Sequence, residues 1–179
     1  PMLGRDTAFL AECVQLYPDR LRSMAPVDEW RIIDEMDVVV AELQEAIVER
    51  GLHAVKFNTR PAYKRSTLAW DDGPYRPFCE AATALGVHIF FSMCTGPGCA
   101  AGATSGAQLR QGCLDEHDIL IRWMERYPDA TVSLTHGFPW RVFVEGDTIE
   151  LPDGIWTPFQ NPKLSLEVCF PVRIGDLFD

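Results

Sequence analysis

Basic charge, long apolar runs and catalytic signature motifs are all scarce in this sequence. Lys and Arg number 16 against 26 Asp and Glu, a formal net charge of −10. Nucleic-acid binders need a basic footprint to neutralise phosphates, so this balance argues against such a partner and disfavours anionic membrane surfaces. No apolar run approaches the roughly 18 residues of a membrane span; the longest are stretches such as Val38-Val39-Val40 and Ile89-Phe90-Phe91. Pro1 to Asp6 lack the basic start and apolar stretch of a signal peptide, so a cytoplasmic location is the default expectation. The sequence carries no Gly-x-Ser-x-Gly elbow, phosphate-binding loop or His-Glu-x-x-His zinc helix. Cys94 and Cys99 share a Gly-Pro-rich loop, but no second pair follows at zinc-site distance. The six cysteines, scattered through apolar segments, read as reduced core thiols.

What is present is an ordinary globular composition, 47% hydrophobic and 23% charged, in a length that fits one domain over residues 1–179. Helical spacing of apolar residues covers Asp6 to Tyr17, Asp34 to Arg50 (closed by Gly51), Tyr75 to Leu85 and Leu109 to Tyr127. Between them lie candidate strands at Leu21 to Val27, His53 to Phe57, Val87 to Ser92, Thr131 to Thr135 and Leu164 to Phe170. Val87 to Ser92 reads as a strand buried on both faces. Phe138 to Pro162 reads as a long Trp- and Pro-containing loop, and Pro171 to Asp179 shows no clear structure.

Alternating strands and helices predict a parallel sheet with crossover helices. The strands begin 32, 34, 44 and 33 residues apart, close to the roughly 31 residues of one unit in a (β/α)₈ barrel. A five-stranded doubly wound sheet would show the same alternation. Loops that follow strands are long, whereas those that precede strands are terse, such as Gly51-Leu52 and the single Gly86. That asymmetry is how barrels build active sites at the C-terminal face, and it favours an incomplete TIM-type barrel of about five βα units.

His136 is the leading candidate for chemistry, because it ends a strand where barrel side chains converge and can act as a base or a metal ligand. A satisfied core histidine is the ordinary alternative. Lys56, near the end of its strand, either pairs with a carboxylate at the rim or binds an anionic substrate group. Asn58 and Arg60 follow it and are candidates to hold a carboxylate, Arg by its bidentate geometry. Trp140 and Arg141 are candidates for an aromatic wall and an anion clamp at the mouth, with rim packing as the alternative. Arg173 and Asp176 are weaker candidates, and His53, His88 and His117 read as structural.

Four segments in order resemble the amidohydrolase-related family of metal-dependent barrels that includes aminocarboxymuconate-semialdehyde and resorcylate decarboxylases. They are Leu16-Tyr17-Pro18-Asp19-Arg20, Gly51-Leu52-His53-Ala54-Val55-Lys56-Phe57, Arg126-Tyr127-Pro128-Asp129, and Val132 to Gly137. The likeness runs from about Phe9 to Phe170. It implies that the chain holds the third to seventh of eight strands, with the family's first-strand histidines before Pro1 and its eighth-strand aspartate after Asp179. His136 then matches the sixth-strand histidine, while Ser92 stands where the family has a fifth-strand metal-ligating histidine. The resemblance implies a divalent metal, zinc or manganese, and a hydrolase or decarboxylase acting on a small carboxylate-bearing compound. With Ser92 at a ligand position, the alternative is a degenerate barrel that binds a ligand or partner subunit without catalysis. Five strands of eight leave open edges, which predicts instability or association into a homo-oligomer.

Overall fold

A computed structural model describes residues 6–59, 69–92, 105–135, 140–146 and 148–167. Five strands form one parallel sheet: β1 (Met24–Ala25), β2 (Ala54–Asn58), β3 (His88–Ser92), β4 (Val132–Leu134) and β7 (Leu164–Leu166). The spatial order β1-β2-β3-β4-β7 follows the chain without reversal. A doubly wound sheet reverses direction at its switch point, whereas barrel strands run on in sequence. This monotonic order settles the fold as a TIM-type barrel, here present in part.

Helices α1 (Thr7–Leu16), α2 (Met36–Gln44), α3 (Arg76–Ala84) and α4 (Gly106–Arg126) occupy the positions their apolar periodicity predicts. Asp6 caps α1 by accepting from the Phe9 amide at 3.0 Å, and Pro18 lies just beyond its C-terminus. Beyond Gln44 the second helix widens into a π turn over Glu45–Glu49 before Gly51 closes it at φ +70°. The wider turn sets Arg50 beside Glu45, five residues back, with Nη2 2.6 Å from Oε1. The fourth helix begins three residues before the expected Leu109. Ser105 and Gln108 form a capping box there, with the Gln108 amide donating to Ser105 Oγ at 3.2 Å.

Strand residues alternate between two environments. Val55, Phe57, Ile89, Phe91, Val132 and Leu134 are all at most 2% exposed and pack against α2, α3 and α4. Their aromatic centre is tight: the Trp70 and Phe91 rings lie 4.7 Å apart, and Trp123 meets Phe91 edge-on at 5.0 Å. The opposite, inner face carries Lys56, Asn58, His88, Phe90 and Ser92, all partly exposed. The third strand is therefore covered on one face only among the described residues, not on both as its apolar run suggested.

The stretch from Phe138 to Pro162 is more ordered than a plain loop. It holds a 3₁₀ turn (Trp140–Phe143), an antiparallel hairpin of β5 (Val144–Glu145) and β6 (Thr148–Ile149), and a second 3₁₀ turn (Thr157–Gln160). Phe143 and Ile155 bury against Cys113 of the fourth helix in a small separate core. Arg110 fastens the hairpin through Glu145 at 2.5 Å, and His117 Nε2 lies 2.9 Å from the Ile155 carbonyl. His117 is structural, as its helix position implied. Residues 168–179 lie outside the described residues, so Arg173, Asp176 and the far end of the predicted last strand do too.

Candidate functional site

The inner face is layered by strand register. Ala54 pairs with His88 in the lowest layer; Lys56, Phe90, Ser133 and Ser165 share the next. Above them Asn58 pairs with Ser92, and Thr135 and Glu167 continue that row by backbone bonds from Thr135 N to Phe91 O and Glu167 N to Leu134 O. Branched apolar residues usually fill a barrel interior. Here the described inner face is polar apart from Met24, Ala54 and Phe90, and the upper row is polar throughout.

Lys56 is partly buried and projects from the second strand into the middle layer, with no carboxylate among the described residues within ion-pair distance. The rim salt bridge that could have explained it is therefore not found there. Asn58 ends the strand instead of opening the loop, and its backbone N–H donates to Glu29 Oε1 at 2.9 Å. Glu29 arrives from the turn after the first strand, so a carboxylate stands at the C-terminal rim that the sequence reading missed.

Below the same rim, the Thr59 hydroxyl donates to Glu116 Oε1 at 2.5 Å, and both residues are fully buried. The Thr59 amide also donates to the Ser92 carbonyl at 3.3 Å, joining the ends of the second and third strands. Glu116 had a sequence signal: Cys113, Leu120, Trp123 and Tyr127 make an apolar helical stripe that Glu116 interrupts. A carboxylate on a buried stripe needs hydrogen bonds, and Thr59 provides one.

A second polar chain crosses three strands. His88 Nε2 lies 2.7 Å from Ser133 Oγ, which lies 2.6 Å from Ser165 Oγ. Burial holds the His88 imidazole below its ordinary pKa, with the charge of Glu167 pulling the other way. His88 begins its strand, as the sequence showed, but it faces the barrel interior and belongs to this network. His53 is exposed.

His136 and Arg60 lie outside the described residues. Trp140 and Arg141 open the first 3₁₀ turn, but their side chains are not among those described. Ser92 and Asn58 are brought together in register, and Lys56 sits one inner layer below Asn58. No group of three or more His, Cys, Asp or Glu among the described residues could hold a metal ion. The described upper row supplies an amide, two hydroxyls and one carboxylate, which is a poor donor set for zinc or manganese. A cleft of about 440 Å³ lies at the other end of the sheet, beside Val87, Pro128 and Thr131, away from all these residues. Among the described residues no helix is long and apolar enough to cross a membrane.

Comparison with solved structures finds the same fold. The 2,6-dihydroxybenzoate decarboxylase from Rhizobium superposes with TM-score 0.61 at 18% identity, over 97% of this chain and 60% of its own. A dihydroxybenzoic acid decarboxylase from a Polaromonas species, holding manganese and 2-nitroresorcinol, gives 0.60 at 19% identity, over 97% and 58%. An uncharacterized TIM-barrel protein from Bordetella bronchiseptica gives 0.57 at 20% identity, over 90% and 48%. The chain thus spans about half to three-fifths of the length of these structures. No functionally curated protein matches it in sequence. The model of the amidohydrolase family matches residues 2–174, nearly the whole sequence. By that match the chain belongs to the amidohydrolase family.

Proposed function

We propose that this chain contributes the substrate-facing wall of a metal-dependent hydrolase or non-oxidative decarboxylase acting on a small carboxylate-bearing compound. The observation that carries the reading is Lys56: a partly buried ammonium on the polar inner face, without an ion-pair partner among the described residues. An unpaired charge in such a place is costly unless a ligand answers it. The solved relatives include two enzymes named for decarboxylating dihydroxybenzoates, one with manganese bound.

In this reading Lys56 holds the carboxylate, and Asn58 and Ser92 orient it from the layer above. His136, the residue after Thr135, moves the proton, and Arg60, Trp140 and Arg141 border the mouth. Zinc or manganese supplies polarisation of a substrate oxygen when bound. The described side chains do not make its site, so His136 and segments outside the described residues would have to provide the donors.

A panel of small aromatic and aliphatic carboxylic acids, assayed for carbon dioxide release and for hydrolysis with manganese or zinc added, tests this. Turnover of one acid, reduced about a hundredfold in Lys56→Met, is the expected result. Binding without turnover under every condition would contradict it. That outcome would favour the second reading, a non-catalytic barrel that binds a ligand or partner subunit, which the serine at position 92 motivates.

A further inference from the structure

Among the described residues the inner face carries two charges of opposite sign that lack an ion-pair partner, in different βα units. Lys56 is on the second strand, and Glu167 follows the seventh-strand segment Leu164–Leu166 in the row of Asn58, Ser92 and Thr135. Both are partly exposed, and neither has an ion-pair partner among the described residues. Ser92, Ser133 and Thr135 lie between them.

Thr135 supplies an independent observation on this face. It is 7% exposed, and its Oγ1 is buried without a hydrogen-bond partner. Most buried hydroxyls have a hydrogen-bond partner, so this one, in the row beside Glu167, is matched to a polar ligand group. Glu167 lies two residues beyond Ser165, whose hydroxyl meets Ser133 on the inner face, so strand alternation puts Glu167 on the same side of the sheet.

We propose that this face binds a bifunctional ligand, with its carboxylate at Lys56 and an ammonium or similar cationic donor at Glu167 and Thr135. The inference rests on the carboxylate-binding reading above and narrows its substrate class to amino acids whose two charges are separated by about one ring or a short chain. Neighbouring strands lie about 4.8 Å apart, so three steps from the second strand to the seventh span roughly 14 Å along the sheet. Strand alternation sets both residues on the inner side at opposite ends of that arc, and the barrel's curvature shortens the chord. The remaining gap suits a compact molecule charged at both ends. A dianion would set one carboxylate against Glu167, so the same layout discriminates against dicarboxylates.

The test compares three probes of one shape by titration calorimetry on the purified protein: 4-(aminomethyl)benzoate, 4-methylbenzoate and terephthalate. The aminomethyl acid should bind about tenfold more tightly than the methyl acid, and terephthalate more weakly than either. Glu167→Gln should bring the aminomethyl and methyl acids to within about twofold of each other. Glu167→Lys should turn the preference towards terephthalate, with circular dichroism melts confirming that each variant is folded. Equal binding of the aminomethyl and methyl acids by the wild-type protein, or a preference that survives both substitutions, would overturn this inference and leave the carboxylate reading intact. Failure of all three acids to bind would overturn both.

Discussion

Thr59 and Glu116 meet across 2.5 Å in full burial, one just past the end of the second strand of the sheet and the other on the fourth helix. Their bond ties the helix after the third strand to the rim where Asn58 and Ser92 lie. It is a support for the face rather than part of it. Glu116→Leu leaves the Thr59 hydroxyl without this acceptor and should cost roughly 1–3 kcal/mol in urea unfolding. Glu116→Gln keeps a carbonyl oxygen and should cost clearly less. Equal losses would mean that shape, not the hydrogen bond, is what Glu116 contributes.

Phe91 sits at the aromatic centre between the sheet and its helices, touching both Trp70 and Trp123. Phe91→Ala should destabilise by about 3–5 kcal/mol, through lost burial and the cavity left behind. Thermal melts should show most of that recovered in Phe91→Leu. A change below about 1 kcal/mol in the alanine variant would mean that this cluster is not the core.

His88 faces Ser133 at 2.7 Å and the Phe90 ring at 4.7 Å, with the charge of Glu167 acting on it. Burial favours its neutral form, so its pKa in the folded protein lies below the ordinary 6.5. The unfolded chain therefore takes up the proton first as pH falls. Stability should be level in this respect above about pH 7, decline as pH drops through the unfolded value near 6.5, and level off below the folded one. Comparing urea midpoints from pH 8 to 5 for wild type and His88→Asn should show that decline reduced in the variant. Identical pH profiles would remove His88 from the account.

The repeating strand–helix units were legible because the central strands Ala54–Asn58 and His88–Ser92 carry β-branched and aromatic residues and each helix an apolar stripe. The choice of barrel over doubly wound sheet rested on loop lengths, and the strand order confirmed it. Less legible was the polar character of the inner face. Val87 to Ser92 looks uniformly apolar, yet only its alternate residues Val87, Ile89 and Phe91 pack into the core on the helix side. Glu29 was missed because it is one acidic residue among 26, distinguished only by what it touches after folding, and Glu116 because a carboxylate on an apolar stripe does not name its partner.

Cys79 is 3% exposed, and burial raises its thiol pKa to about 12. It should resist alkylation at pH 8 in the native protein and react on unfolding, because the thiolate is the nucleophile. Cys13, partly exposed, should label before the buried Cys79 and Cys113. Peptide mapping after a timed iodoacetamide pulse reads both. Early labelling of Cys79 would mean that the third helix does not pack as described.

The central claim, that the polar inner face receives a small carboxylate at Lys56, has a direct test because the chain holds only three lysines, at 56, 64 and 163. Selective ¹³C labelling of the lysine ε carbons gives three signals, and Lys56→Arg assigns one of them. Titration with benzoate should shift the Lys56 signal in a saturable way and leave the Lys163 signal unmoved. No shift at Lys56, or a shift confined to the other two lysines, would contradict the account.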